Sequence, residues 1–104
     1  MKRNKAISNI QIENELIRVT KYTFLPGDET RMHKHYYDYI VTPLTNGKIL
    51  LEDKNGNKTN SNLKAAEPYF RKAGIEHNVI NNSKENLSFI EIELKKNNKE
   101  DFNG

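Results

Sequence analysis

The chain has 104 residues and a mass of 12.1 kDa, which suffices for one domain and is too little for two. It contains no cysteine, which excludes disulfides, thiolate zinc sites and thiol nucleophiles and leaves only nitrogen and oxygen atoms to hold a metal ion. Its 17 Lys and Arg residues against 14 Asp and Glu residues give a net charge of +3, but these charges are scattered, and we expect no nucleic-acid partner.

Turn signals recur at short intervals and separate segments of strand length, whereas no long segment has helical periodicity. The segments are rich in Ile, Val, Tyr, Phe and Thr, and in chain order they are 16–25, 32–41, 48–52, 59–63, 69–71, 75–80 and 87–94. Short strands without a crossover helix predict an all-β sandwich or barrel. We expect a single domain, 1–104, with a barrel core at about 14–95 and a flexible tail at 96–104.

The last predicted strand has the clearest alternation. Ile90, Ile92 and Leu94 fall on one face, and Glu91 and Glu93 fall on the other. The sequence therefore predicts that the isoleucine face packs in the core and that both glutamates are exposed. Contact between one of these glutamates and a histidine is the less favoured alternative.

Two of the three histidines form the run His33-Lys34-His35 within a predicted strand. Alternate residues of a strand share one face, so these two imidazoles would project side by side, as two ligands of one metal ion do. Histidines with this spacing are also common in proteins without a metal ion, so the pair alone is weak evidence. Further support must come from the flanking residues and from the third histidine, His77.

The flanking residues resemble the two motifs of the cupin superfamily. Pro26-Gly27, His33-Lys34-His35 and Gly47 match most of the first motif, and residues 74–81, which include His77, match the later part of the second. All three histidines fall on the positions that bind metal in that superfamily. The resemblance implies a cupin barrel, a double-stranded β-helix or jelly roll, with a divalent transition metal held inside it by the three histidines.

The chain is similar, more narrowly, to small cupins described as beta-alanine degradation proteins over three segments, 38–47, 73–81 and 89–93. It departs from the first motif at Ile40, where a glutamate usually supplies a fourth metal ligand. Tyr39 is the preferred substitute ligand or donor, because strand alternation places it on the face of His33, and Asp38 is the second choice. An ordinary strand residue is the alternative for both.

Three neutral imidazoles leave a divalent ion its full charge and open coordination positions, which favours a small carboxylate ligand such as an amino or keto acid. Nitrogen ligands favour Fe, Ni, Co, Cu or Zn over Mg or Ca, without selecting among them. Tyr37 and Tyr39 share the strand parity of His33 and His35 and are the candidate catalytic residues. Arg71 is the candidate for binding the substrate carboxylate, with a surface arginine as its alternative.

The resemblance to cupins, together with these residues, implies a metal-dependent enzyme that acts on a small carboxylate-bearing metabolite. The competing hypotheses are a non-catalytic module that binds a metal or small ligand, and a metal-free barrel with vestigial histidines. Small cupins resemble one another in pairing through edge strands, so we expect a homodimer that buries apolar residues such as Ile10 and Ile12. No apolar run approaches the roughly 18 residues of a membrane helix, and we expect a cytoplasmic protein without a membrane partner.

Overall fold

The computed structural model describes residues 2–95. These residues form nine strands, β1 (Ile7–Glu13), β2 (Ile17–Phe24), β3 (His33–Lys34), β4 (Asp38–Pro43), β5 (Gly47–Asp53), β6 (Lys58–Leu63), β7 (Tyr69–Arg71), β8 (Glu76–Asn81) and β9 (Leu87–Leu94). The described residues contain no helix, and hence none long and apolar enough to span a membrane. The tail expected at 96–104 lies outside the described part of the chain.

The strands form two antiparallel sheets. One sheet has five strands in the order β1-β2-β9-β4-β7, and the other has four in the order β3-β8-β5-β6. Neighbours in each sheet are mostly distant in sequence, as in a jelly roll. The all-β cupin barrel predicted from the sequence is therefore confirmed. The additional strand β1 precedes residue 14, where we expected the barrel core to begin.

An aromatic cluster forms the centre of the core between the two sheets. Phe24 is fully buried, and its ring centroid lies 5.4 Å from that of Phe89, which lies 5.4 Å from that of Tyr22. Val41, Ile49, Leu63, Val79 and Leu87 belong to the same cluster of buried residues. Along β9 the inward positions then change from the apolar Leu87 and Phe89 to the buried Glu91. One half of the interior is therefore hydrocarbon, and the other half carries polar groups.

The prediction for the faces of β9 is wrong. Glu91 is 6% exposed and shares the inner face with Phe89, whereas Ile90 and Ile92 lie half-buried on the outer face. The period of two separates the faces of a strand without showing which one points inward. Here the outer face of the five-stranded sheet is itself apolar, so the apolar face of β9 was wrongly assigned to the core.

One row of apolar residues crosses the outer face of all five strands. The register pairs Ile12 with Val19, Val19 with Ile92, Ile92 with Ile40, and Ile40 with Phe70. A bulge between Ile10 and Ile12 turns the side chain of Ile10 towards an interior groove instead. The two isoleucines thus lie on different faces of β1, and the homodimer stays a prediction.

Replacing Phe24 by alanine tests the aromatic cluster. We expect Phe24→Ala to lower the free energy of unfolding by about 3–5 kcal/mol, because it removes a fully buried ring that neighbouring strands cannot replace. Leu25→Ala is the matched control, since Leu25 is 56% exposed and should change stability little. Urea unfolding measures both variants, and equal losses would contradict this assignment of the core.

Candidate metal centre

The three histidines meet where β3 pairs with β8. His33 on β3 is the register partner of His77 on β8. Just beyond β3, the N–H of His35 donates to the carbonyl of Ile75 at 2.8 Å, and the N–H of Gly74 donates to the carbonyl of His35 at 2.8 Å. This backbone pairing places three imidazoles from two distant segments side by side.

The imidazole rings converge through the same nitrogen atom. The Nε2 atom of His35 lies 3.0 Å from Nε2 of His33 and 3.2 Å from Nε2 of His77. The candidate ligand atoms all lie within 4.8 Å of one another. Two imidazole nitrogens bound at about 2.0–2.1 Å to one ion lie roughly 2.8–3.4 Å apart when the angle between them is between 90° and 110°. The two distances from His35 therefore lie in the range expected for donors to one metal ion.

Hydrogen bonding and burial keep these nitrogens available as ligands. The Nδ1 atom of His33 donates to the carbonyl of Arg31 at 2.8 Å, since a carbonyl can only accept, and this leaves a lone pair on Nε2. Burial, together with the nearby His33, lowers the pKa of His35 to about 4. Burial and the neighbouring histidines lower the pKa of His77 to about 3. Both rings are therefore neutral at neutral pH, as metal ligation requires.

His35 is held on two sides. Its ring stacks on that of Tyr39, with centroids 3.9 Å apart and planes 17° apart. The Oε1 atom of Glu91 lies 3.9 Å from Nδ1 of His35, on the side of the ring away from the other histidines. Sequence analysis favoured a surface position for Glu91 and gave contact with a histidine only as the less favoured alternative. The signal that could have found it is its parity with Leu87 and Phe89, which are both buried.

Ile40 does not enter the cluster. Its side chain belongs to the outer apolar row, whereas Tyr39 is 2% exposed and faces His35. Asp38 is exposed, and its carboxylate accepts the N–H of Ala73 at 2.8 Å. The residue at the position of the usual glutamate therefore neither fills nor blocks the space between the histidines. A substitute role for Tyr39 or Asp38 stays a prediction.

The strand predicted over 32–41 is wrong in its length, because the structure ends β3 at Lys34 and begins β4 at Asp38. Tyr37 lies in the break between these strands, so its strand parity has no structural meaning. It is half-buried near Arg18. The carboxylate of Glu93 has the largest part in raising the pKa of Arg18, and Tyr37 contributes to the same shift. Tyr37 does not line the cavity described next, and its catalytic role stays a prediction.

A cavity of about 160 Å³ adjoins the cluster, between the two sheets. Its polar wall carries His77, Glu91, Tyr39, Tyr69 and Arg71, and its remaining wall is largely apolar. Arg71 is the register partner of Tyr39, and its guanidinium lies 4.5 Å from the ring centroid of Tyr69. Within residues 2–95 Arg71 forms no ion pair with a carboxylate. The cavity therefore presents a cation that no acidic side chain neutralises.

A second, more open groove of about 360 Å³ lies on the other side of the cluster and is lined by His33 and His35. Its guanidinium, that of Arg18, is already bound by Glu93 through two hydrogen bonds of 2.8 and 3.1 Å. Glu91 lines both spaces. The histidines and Glu91 thus form a polar partition between the cavity and the groove, and the exposed Lys5 and Lys34 also line the groove.

Comparisons with known proteins show the superfamily to which this fold belongs. No family model matches the chain. It is 46% identical over 93 residues to the beta-alanine degradation protein BauB of Pseudomonas aeruginosa, which covers 89% of this chain and 97% of that protein. It is 47% identical to the crystal structure of a cupin domain from Bordetella pertussis, with a TM-score of 0.88 and coverage of 92% of this chain and 99% of that one. The chain belongs to the cupin superfamily.

Among cupins, the chain is a small protein similar to BauB, which confirms the resemblance found in the sequence. A Klebsiella pneumoniae protein with a double-stranded beta-helix domain is 23% identical, with a TM-score of 0.72 over 93% of this chain and 83% of that one. This more distant likeness shows the fold alone. The fold of the cupin is thus confirmed by both close and distant relatives.

The stability of the metal-free cupin should fall as the pH drops from 7 to 5.5. His35 and His77 have pKa values of about 4 and 3 in the folded chain, whereas an unfolded histidine titrates near pH 6.5, so unfolding takes up protons in this window. Burial, and next the nearby Glu93, raises the pKa of Glu91 to about 7, which acts in the opposite direction. The two histidines lower the free energy of unfolding by more than the one glutamate raises it, so the net stability falls.

Urea unfolding of chelator-treated protein at both pH values measures this effect. Glu91→Gln mimics the protonated acid and removes the opposing contribution, so its loss of stability should be steeper than that of the wild type. Ordinary carboxyl groups titrate mainly below this window. Constant or rising stability towards pH 5.5 would contradict neutral, buried imidazoles.

Proposed function

We propose that this cupin binds one divalent transition metal ion through His33, His35 and His77 and acts on a small carboxylate-bearing metabolite in the adjoining cavity. The observation that carries the proposal is the convergence of three Nε2 atoms beside a cavity lined by the exposed Arg71, whose guanidinium donates to the carbonyl of Phe70 at 3.0 Å but has no acidic partner among residues 2–95. The expected ions are Fe, Ni, Co, Cu or Zn, because imidazole nitrogen is a borderline ligand that suits these metals. When bound, such an ion supplies Lewis-acid or redox chemistry.

The cavity supports a substrate that is small and anionic. Its volume of about 160 Å³ is below the roughly 300–1,000 Å³ of cavities that accept drug-sized ligands. Arg71 offers a planar guanidinium that can hold a carboxylate by two parallel hydrogen bonds. The related BauB is named a beta-alanine degradation protein, and beta-alanine is a small amino acid with one carboxylate. A small amino or keto acid is therefore the proposed substrate class.

Tyr39 is the proposed hydrogen-bond donor to this substrate. It lines the cavity, stacks on His35 and is the register partner of Arg71 on the inner face of the sheet. A carboxylate bound by Arg71 would therefore bring the rest of a small molecule towards Tyr39 and the histidines. The remaining wall of the cavity is largely apolar, which would strengthen each polar contact once the substrate fills that space.

Metal content tests the first half of the proposal. Purified protein equilibrated with zinc and then dialysed should retain one ion per chain, and His77→Ala should lose it, because two imidazoles bind an ion far more weakly than three. Lys34→Ala is the matched control, since Lys34 lies between His33 and His35 in the sequence and has an exposed side chain. Elemental analysis gives the answer, and equal metal content in all three proteins would refute the cluster as a metal site.

Ligand binding tests the second half. Beta-alanine and pyruvate are the probes for amino and keto acids, and calorimetry on zinc-loaded protein measures their affinity. We expect Arg71→Gln to lower the affinity for the probe roughly tenfold to a hundredfold, because it removes hydrogen bonds to a charged group. Lys72→Gln, at the neighbouring exposed position, should leave the affinity unchanged. Equal affinity in the Arg71 variant and the wild type would refute the assigned carboxylate subsite.

Turnover separates the enzyme from the non-catalytic module. Protein loaded in turn with each candidate metal is incubated with the bound probe, and loss of the probe is followed by chromatography. Consumption that disappears in His77→Ala supports the enzyme. Saturable binding without consumption for any metal supports the binding module instead.

A further inference from the structure

The backbone of Arg31 has a conformation that side-chain-bearing residues rarely adopt. Its φ is 74°, and Ala66 is the only other non-glycine residue among 2–95 with a positive φ. The left-handed region crowds Cβ against the following carbonyl, so it is occupied where neighbouring contacts enforce it. Here the two polar groups of Arg31 have separate partners. Its carbonyl accepts from Nδ1 of His33 at 2.8 Å, and its N–H donates to Oδ1 of Asn78 at 2.8 Å.

Asn78 is buried on β8, directly after His77. It is 5% exposed, and its Nδ2 donates to Oε1 of Glu29 at 2.8 Å, so the oxygen end of the amide must face Arg31. The adjacent Thr30 is also held by β8: its hydroxyl oxygen accepts the N–H of Val79 at 3.0 Å. The N–H of Thr30 also donates to the carbonyl of Val79 at 2.9 Å, and Glu29 pairs with Ile80. The backbone thus holds residues 29–30 against β8, and the Asn78 side chain holds Arg31 beyond that pairing.

We propose that Asn78 is a positioning residue for His33. By holding Arg31 in the left-handed conformation, the Asn78 amide directs the Arg31 carbonyl at Nδ1 of His33, which fixes the proton on Nδ1 and the lone pair on Nε2. Its importance for metal binding rests on the proposed function, whereas the tautomer of His33 is a property of the metal-free protein. The two can therefore be tested separately.

Nitrogen-15 NMR of the metal-free protein tests the tautomer. Two-bond couplings distinguish imidazoles protonated at Nδ1 from those protonated at Nε2. We expect the wild type to show His33 protonated at Nδ1, and Asn78→Ala to show a mixture of the two tautomers. The matched control is Asn81→Ala, because Asn81 lies on the same strand, is 1% exposed and bonds the backbone of Glu85 and Ser83 away from the histidines.

Zinc affinity, measured by competition with a chromophoric chelator, tests the consequence. Removal of a group that orients a metal ligand typically weakens binding roughly tenfold to a hundredfold, and we expect this loss for Asn78→Ala. Asn81→Ala loses a comparable set of buried hydrogen bonds but should keep the wild-type affinity. A purely structural role of Asn78 would weaken zinc binding equally in both variants.

Two substitutions of the exposed residue Arg31 test the inference if Asn78→Ala fails to fold. The Arg31 side chain is 55% exposed, and Arg31→Gly and Arg31→Val both remove its guanidinium. Glycine accepts a positive φ readily, whereas a β-branched residue resists it. We therefore expect Arg31→Gly to retain the His33 tautomer and the zinc affinity, and Arg31→Val to lose both.

The outcomes separate this inference from the proposed function. An unchanged His33 tautomer in Asn78→Ala, or in Arg31→Val should Asn78→Ala not fold, overturns the inference whatever the zinc affinity. A tautomer that depends on Asn78 in a protein that binds no zinc supports the positioning role and refutes the metal site. Loss of the Nδ1 tautomer together with zinc affinity supports both.

Discussion

The pairing of β3 with β8 is the constraint on which the site depends. It places His33 opposite His77 and brings together segments more than forty residues apart in the chain. The regular pairing covers only two residues of β3, because the chain then turns towards β4. Side-chain bonds from Asn78 and Thr30 extend the attachment on one side, and the backbone of His35 extends it on the other. The cluster is thus held by many weak contacts around a very short ladder.

The interior combines a hydrocarbon core with a polar partition, and the partition destabilises the metal-free fold. Buried imidazoles and a buried carboxyl group lose hydration that few protein contacts replace. The depressed pKa values of His35 and His77 and the raised pKa of Glu91 express this loss, since each group is pushed towards its neutral form. Burial of the aromatic cluster around Phe24 offsets this destabilisation. Such a balance is expected where a site has to stay polar inside a small barrel.

The strands and the histidine cluster depend on local sequence patterns and were predicted. The direction of individual side chains depends on packing between strands and was not. Turn spacing gave the strands, and the spacing of His33 and His35 with the motif around His77 gave the cluster. The direction of Glu91 was not predictable, because alternation is symmetric and the outer row with Ile92 is as apolar as a core face. Tyr37 was assigned by a parity that the break between β3 and β4 removes. Strand β1 was missed because its isoleucines, Ile7, Ile10 and Ile12, do not alternate regularly, and the bulge between Ile10 and Ile12 shifts the register.

The position of Glu91 explains how a cupin without the usual glutamate can still present a carboxylate near its histidines. Ile40 faces outward, so the carboxyl group comes from a different strand and approaches His35 from its Nδ1 side. From there it can orient the ring and balance charge, but it lies away from the face where the Nε2 atoms meet. Glu91 is therefore not among the residues that would hold the proposed ion, and Arg71 in the adjoining cavity would attract an anionic substrate. In the proposed function Arg71 holds the substrate carboxylate, so the rest of the small molecule, rather than a further side chain of the protein, would complete the coordination of the ion.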